Sequence, residues 1–270
     1  RIRGLRRHGG STFLDIEDGT GKFQVFCSAT ELVGVYETLV ARLDIGDFVQ
    51  AAGAPFITKA GQKSLKISSL VLLSKALRPL PDKVHGLTDT EHRYRQRELD
   101  LLANAESMSV ARSRAAMLRA LRAGFEEAGF LEVETPVLQA IAGGATAKPF
   151  TTHHNALNLD LFLRVAPELY LKRLIIGGFE RVYEVARCFR NEGISPQHNP
   201  EFTQIEFYAA YWDYTQMMSF CEQLLVQVVE KVRGTLQFEV DGKTIDFSAP
   251  LPRVRYVDAM NGRCGIEFLG

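Results

Sequence analysis

From residue 1 to about residue 75, apolar positions recur mostly with a period of two, the spacing of half-buried strands. In "TFLDIED", Thr12, Leu14 and Ile16 alternate with Phe13, Asp15 and Glu17; "DGTG" supplies a turn and "KFQVFC" a returning strand, so a hairpin is predicted. Residues 29–43, "ATELVGVYETLVARL", predict a helix, and "GDFVQAAGAPFIT", a turn centred on Gly61 and "SLKISSLVLLS" predict further strands. The two prolines of "LRPLPDK", Pro79 and Pro81, then mark a linker.

Beyond the linker the period changes. "DTEHRYRQRELDLL" predicts an exposed helix, and "SVARSRAAMLRALRAGFEEAGF" an amphipathic one whose stripe holds Met117, Leu118, Leu121 and Phe125 and whose stop is Gly129. "FLEVETPVL" predicts a strand that Pro136 interrupts, "AGGATAKPF" a loop, "LDLFLRV" a strand, and "PELYLKRLIIGG" a helix opened by Pro167. Two strands, "ERVYEVARCFR" and "EFTQIEFYAAY", flank the loop "NEGISPQHNP"; Asp213 is placed to cap a helix, and Asp241 with Gly242 turns a last hairpin. The pattern predicts a small β-barrel with one interposed helix, of the OB-fold kind, followed by part of an α+β domain with a mainly antiparallel sheet. A truncated first strand would leave the barrel edge open.

Composition adds limits. With 46% hydrophobic and 24% charged residues the chain is ordinary for a globular protein of 270 residues, and no apolar run approaches the roughly 20 residues that span a bilayer. A cytoplasmic location is the default expectation. Cys27, Cys188, Cys221 and Cys264 form no CxxC pair and are expected to be reduced packing residues. Net charge is zero, yet residues 1–80 hold 11 Lys+Arg against 7 Asp+Glu, a surplus of 11 − 7 = +4 that suits a polyanion and also lies within chance.

The chemistry concentrates in residues 189–211, "FRNEGISPQHNPEFTQIEFYAAY". If its strands pair, Phe202, Gln204, Glu206 and Tyr208 share one face, and Thr203, Ile205, Phe207 and Ala209 share the other. A solvated hairpin explains the charges of the first face blandly. A cleft explains them chemically: Arg190 offers a bidentate fork to phosphate or carboxylate, Phe202 a stacking surface for a base, and Glu206 and Tyr208 a seat for an ammonium group.

The same stretch closely resembles motif 2 of the class II aminoacyl-tRNA synthetases, in the form carried by the lysine enzymes. "FLEVETPVL" resembles motif 1 of that family, and "GGATAKPFTTHHNAL" and "RVAPELYLKRLIIGGFERVYEVARCFRNEGIS" resemble the lysine enzymes further. The aspartate and asparagine enzymes, similar in plan, usually carry "FRAED" and "HLPEFT" where this chain has "FRNEG" and "HNPEFT". The resemblance implies an N-terminal OB-fold anticodon-binding domain over 1–78, a linker and exposed helix over 79–102, and the N-terminal part of a class II catalytic domain over 103–270.

It also implies roles. Arg190 would contact the ATP α-phosphate and the amino-acid carboxylate, Glu192 the adenine side of ATP, His198 the outer phosphates, and Phe202 the adenine ring. Glu168 and the Gly144 backbone would hold the lysine α-amino group, with Glu206 and Tyr208 at lysine and its ammonium end. Phe13 and Gln24 would meet anticodon bases of the lysine tRNA, although core packing accounts for Phe13 equally well. The motif 1 region would form a homodimer interface. ATP as substrate and Mg2+ as cofactor follow, and the expected magnesium ligands lie past Gly270, so no metal site is expected within the chain.

One departure stands out. The family's third motif is missing, so the chain is expected to be an N-terminal fragment unable to catalyse the reaction alone; a noncatalytic RNA-binding paralogue is the alternative. Other signals carry less. "GTGK" lacks the spacing of a phosphate-binding loop, His153 and His154 point apart in any regular structure, Met217 and Met218 suit a core, and Glu168 suits any helix's first turn.

Overall fold

The computed structural model describes residues 1–81 and 86–265, with the side chain of Cys264 outside the description; part of the predicted linker therefore lies outside the described residues. The chain divides into two compact units, Arg1–Ser109 and Val110–Gly270.

In the first unit, β1 (Ile2–His8), β2 (Ser11–Glu17), β3 (Lys22–Ser28), β4 (Phe48–Ile57) and β5 (Lys63–Ser74) form one sheet in the order β1-β2-β3-β5-β4. The basic N-terminal residues are thus a paired strand, with His8 opposite Ser11 and Arg6 opposite Phe13. Two backbone hydrogen bonds, Ile2 N–H to the Asp47 carbonyl at 2.8 Å and Gly46 N–H to the Ile2 carbonyl at 2.9 Å, tie the start of β1 to the segment before β4. Inside lie Ile2, Leu14, Val25, Cys27, Val40 and Ile67.

The helix predicted over 29–43 is much shorter. Only α1 (Val35–Thr38) and a 3-10 turn at Val40–Arg42 form. Gly34 at φ 77 breaks the backbone before α1, and the β-branched Val33, Val35 and Val40 offer little helical propensity to resist it. The helix predicted over 89–102 is instead two, α2 (Thr90–Arg95) and α3 (Arg97–Ala103), parted at Gln96 with ψ 61. Nor is it wholly exposed. Asp100 is fully buried, accepting from Arg93 Nε at 2.7 Å and Asn104 Nδ2 at 2.6 Å and pairing with Arg97. Burial pushes its carboxyl up, but hydrogen bonds from Ser107, Arg93 and Asn104 outweigh that and bring it down to about 2.

The division between the units falls within α4 (Ala105–Glu127), which ends before Gly129 at φ +77. "FLEVETPVL" forms only the two-residue strand β6 (Leu131–Glu132) and, past Pro136, β7 (Leu138–Gln139). β8 (Thr151–His154), β9 (Leu159–Leu163), α5 (Glu168–Ile176), β10 (Arg181–Phe189) and β11 (Glu201–Ala209) follow. β10 pairs β11 antiparallel and β6 in parallel; β9 lies between β7 and β8, antiparallel to both.

α6 (Tyr214–Arg233) starts with a complete capping box, Asp213 with Gln216, and stops at Gly234 in the left-handed region. Its buried residues are Phe220, Leu224 and Val228, whereas Met218 is exposed, so the stripe lies one position round from the Met217–Met218 pair. β12 (Gln237–Val240) and β13 (Lys243–Asp246) turn on Asp241 and Gly242, both at positive φ, and α7 (Tyr256–Cys264) follows. Phe125, Phe130, Tyr183, Phe207, Trp212 and Phe220 make the core of this unit, with Phe125 stacked on Tyr183 at 4.4 Å between centroids. Among the described residues no helix is long and apolar enough to cross a membrane.

Candidate functional site

The β10–β11 hairpin has two chemically opposite faces because its register is regular from Arg181 opposite Ala209 to Phe189 opposite Glu201. Tyr183, Val185, Ile205 and Phe207 face the aromatic core. The other face carries Glu184 opposite Glu206, Ala186 opposite Gln204, and Cys188 opposite Phe202. Burial pushes the Cys188 thiol up to about 11, so it is a packed thiol rather than a nucleophile.

At the loop end of this face, Arg190, Glu192, His198 and Phe202 surround a cavity of about 190 Å³ together with loop residues between them. The Arg190 N–H donates to the Pro200 carbonyl at 2.8 Å, holding the two strand ends together. Its guanidinium carbon lies 5.0 Å from the Phe202 ring centroid, and its buried Nε has no hydrogen-bond partner. A buried, unpaired guanidinium N–H is costly, and Arg190 is also among the residues lining the cavity, where a guanidinium suits an anion. Lys148 anchors the "AGGATAKPF" loop here: Asn191 N–H donates to its carbonyl at 2.8 Å and its N–H donates to Glu192 Oε1 at 3.2 Å. Ser195 and His198 exchange backbone hydrogen bonds, and Ser195 Oγ sits 2.8 Å from His198 Nδ1, fixing the ring's orientation.

Further along the face is an acidic group. Tyr208 Oη donates to Glu206 Oε1 at 2.7 Å and Gln204 Nε2 donates to Oε2 at 3.1 Å. Burial raises the Glu206 pKa above its ordinary value; the Tyr208 hydrogen bond opposes that, and the charge of Glu168 adds to it. Burial first, then Glu206, pushes the Tyr208 hydroxyl up as well. Glu168 opens α5, and Gly144 lies against it. Gly144 sits at φ +89, and a Cβ there would come 3.0 Å from Glu168 Cβ and 3.1 Å from Ala166 Cβ, so a glycine is required for both conformation and space.

The four residues predicted for ATP therefore gather at one end of the face; of the five predicted for the amino acid, Arg190 is among those four and Gly144, Glu168, Glu206 and Tyr208 lie at the other end. Phe13 and Gln24 belong to the first unit, on the sheet face opposite Leu14 and Val25. Phe13 is half-buried and outside the core cluster, in a row with Phe26 at 4.9 Å and, beyond it, Phe56 at 5.7 Å from Phe26. Gln24 Oε1 accepts from Ser64 Oγ at 2.8 Å.

Three residues escaped the sequence reading. Arg164 and Glu184 form a buried ion pair at 2.5 Å, with Thr135 Oγ1 donating to the other Glu184 oxygen at 2.6 Å and Arg164 Nε donating to the Arg187 carbonyl at 2.8 Å. Phe189 N–H donates to the Arg164 carbonyl at 3.0 Å, so Arg164 braces the strand that delivers Arg190. Lys172, one turn after Glu168, places Nζ 2.5 Å from Glu168 Oε1. Its signal was the i, i+4 spacing to a candidate ligand; Glu184 could be found only through its register with Glu206.

Residues 89–267 match the family described as tRNA synthetases class II (D, K and N), and residues 1–73 match the OB-fold nucleic acid binding domain. The chain belongs to the class II tRNA synthetases. Within that family it is 49% identical to a lysine–tRNA ligase of Pelotomaculum thermopropionicum over 268 residues, 99% of this chain and 53% of the relative. It is 49% identical to one of Dehalococcoides mccartyi over 99% of this chain and 54% of the relative. A third, from Carboxydothermus hydrogenoformans, is 48% identical over 100% of this chain and 55% of the relative. The chain thus spans about half the length of these class II relatives, as an OB-fold followed by a class II synthetase domain.

Among the described residues no group of three or more His, Cys, Asp or Glu side chains is arranged to hold a metal ion. His153 Nδ1 is instead 2.7 Å from Asp160 Oδ1, and His154 Nδ1 accepts the Leu157 N–H at 3.3 Å.

Proposed function

We propose that this chain is part of a lysine–tRNA ligase, which activates L-lysine with ATP to lysyl-adenylate and transfers the lysyl group to its tRNA. The observation that carries the reading is a hairpin face with Arg190, whose buried Nε lacks a partner, at one end and Glu206, held by Tyr208 and near Glu168, at the other. That order suits lysine, whose carboxylate would meet Arg190 and whose two ammonium groups, α beside the carboxylate and ε at the far end, call for acidic partners, and it favours lysine over aspartate or asparagine.

In the reaction, a lysine carboxylate oxygen bonds to the α-phosphorus while the bond to the bridging oxygen breaks and pyrophosphate leaves. A carboxylate is already a nucleophile, so no base is required, and rate comes from alignment and charge stabilisation. Arg190 would bind the α-phosphate and the attacking carboxylate, with Phe202 stacked on adenine, Glu192 at its edge and His198 at the outer phosphates. Glu168 and the Gly144 backbone would take the α-amino group, and Glu206 with Tyr208 the ε-ammonium. Magnesium, when bound, would neutralise charge on ATP; the described residues offer no carboxylate cluster to hold it.

Phe13 would stack an anticodon base and Gln24 would hydrogen-bond one, with the anticodon domain at 1–78, a linker at 79–102 and the catalytic part at 103–270. The motif 1 region would pair two subunits, and the enzyme would work in the cytoplasm. Exchange of labelled pyrophosphate into ATP tests the reading, run on this chain and on the product of its complete reading frame. L-Lysine-dependent exchange by the complete product, absent from this chain alone and lost when Arg190→Met is introduced into the complete product, is expected. No exchange with any amino acid from the folded complete product would overturn it in favour of a noncatalytic RNA-binding protein.

A further inference from the structure

The acidic end of the site already contains an ammonium group. Lys172 Nζ lies 2.5 Å from Glu168 Oε1 and 5.8 Å from the centroid of the Tyr208 ring, within reach of a cation–π attraction. Its charge also reaches Glu206, where it offsets part of the effect of burial. The three side chains to which the preceding reading assigns substrate amino groups therefore already share one cation, supplied by the same helix, one turn after Glu168.

We propose that Lys172 is a resident stand-in for the ammonium of the amino-acid substrate, held on Glu168 beside Tyr208 and displaced when the substrate enters. The inference rests on the lysine reading of this site. Its physical basis is a conflict between two requirements. The charge of Glu168 disfavours ionisation of Glu206, yet a carboxylate must be anionic to hold a cation. A cation held on Glu168 beside Tyr208 eases that conflict while the site is empty. Lys172 does this with the chemical group the substrate carries, so it also competes with the substrate. The competition is mild because the Lys172 side chain is 54% exposed and the pair is an i, i+4 contact on a helix surface. An entering ligand need only release Lys172 to water. A ligand with one weakly held amine gains too little to do so, and in this way the contact sharpens selection for a strongly held cationic amino acid.

The prediction has an unusual sign: removing a charged residue from the site should tighten binding. Titration calorimetry of L-lysine into the chain, with wild type, Lys172→Met and Lys172→Arg, tests it, together with NMR of chains carrying carbon-13 at lysine Cε. The Met variant is expected to bind L-lysine about two- to fivefold more tightly, the range a half-exposed ion pair supports, while the Arg variant keeps the wild-type affinity or falls below it. The Lys172 Cε signal, assigned by its loss in the Met variant, should move to a solvent-like position as L-lysine saturates the wild type. Unchanged or weaker binding by a folded Met variant, or a Lys172 signal that stays in place at saturation, would overturn the displacement while leaving the lysine site standing. No binding of L-lysine by either the wild type or the Met variant would instead overturn the lysine reading, and the displacement with it.

Discussion

The two ends of the polar face of the β10–β11 hairpin differ in how complete they are. At the loop end, the Arg190 Nε is buried without a partner beside an open cavity. At the other, Glu206 accepts from Tyr208 and Gln204, and Glu168 is paired with Lys172. The first end offers a guanidinium beside an open cavity to an arriving anion; the second exchanges one set of partners for another. Buried polar groups left unpaired cost about 1–3 kcal/mol each, so affinity is expected to concentrate at the arginine end and selectivity at the carboxylate end.

The largest expected effect removes the brace under both ends. Arg164→Met would leave Glu184 buried and uncompensated opposite Glu206, and chemical denaturation should show a loss of about 3–5 kcal/mol. The double variant Arg164→Met with Glu184→Leu should recover most of it, because an apolar pair of similar volume carries no orphaned charge. Should the double variant be as unstable as the single one, the pair's role is packing rather than charge compensation.

Next in size is the arginine end alone. Arg190→Met should weaken ATP binding by about 1.5–3 kcal/mol for each charge-assisted hydrogen bond lost, read by calorimetry, with little change in global stability. In the first unit, where the aromatic row of Phe13, Phe26 and Phe56 lies on the sheet face away from the core, Phe13→Ala should weaken binding of a short single-stranded RNA by about 1–3 kcal/mol. Unchanged RNA affinity with lowered stability would return Phe13 to a packing role.

The smallest effect is a pH slope at the carboxylate end. Glu206 has its pKa raised above the ordinary 4.5, so in the window between 4.5 and its raised value the folded protein binds more protons than the unfolded chain. Stability therefore falls as pH rises through that window and is greatest, for this group, below it. Glu206→Gln should remove that part of the slope in denaturation curves measured across acidic pH.

Alternation made the hairpin legible: period two fixed which of Phe202, Gln204, Glu206 and Tyr208 share a face, and register did the rest. Caps at Asp213 and turns at Asp241 and Gly242 were equally readable, because their residues carry local conformational preferences. Failures came where tertiary contacts override local pattern. The burial of Asp100 depends on ion pairs to Arg93 and Arg97 and a hydrogen bond from Asn104, gathered across helix turns, which a period cannot reveal. Only two residues of "FLEVETPVL" before Pro136 form a strand, because β6 has partners in β10 just at Leu131 and Glu132. In the site, Arg164 and Glu184 were hidden for the same reason, since they become neighbours only in the fold, whereas Lys172 was signalled by its i, i+4 spacing to Glu168.

The most direct test of the two-ended site is a non-hydrolysable lysyl-adenylate analogue, which spans both ends at once, titrated calorimetrically into the chain. One molecule should bind per chain, with affinity lowered by Arg190→Met and, independently, by Glu206→Gln. Failure to bind, or binding that neither variant weakens, would contradict the assignment of this hairpin face as the nucleotide and amine site.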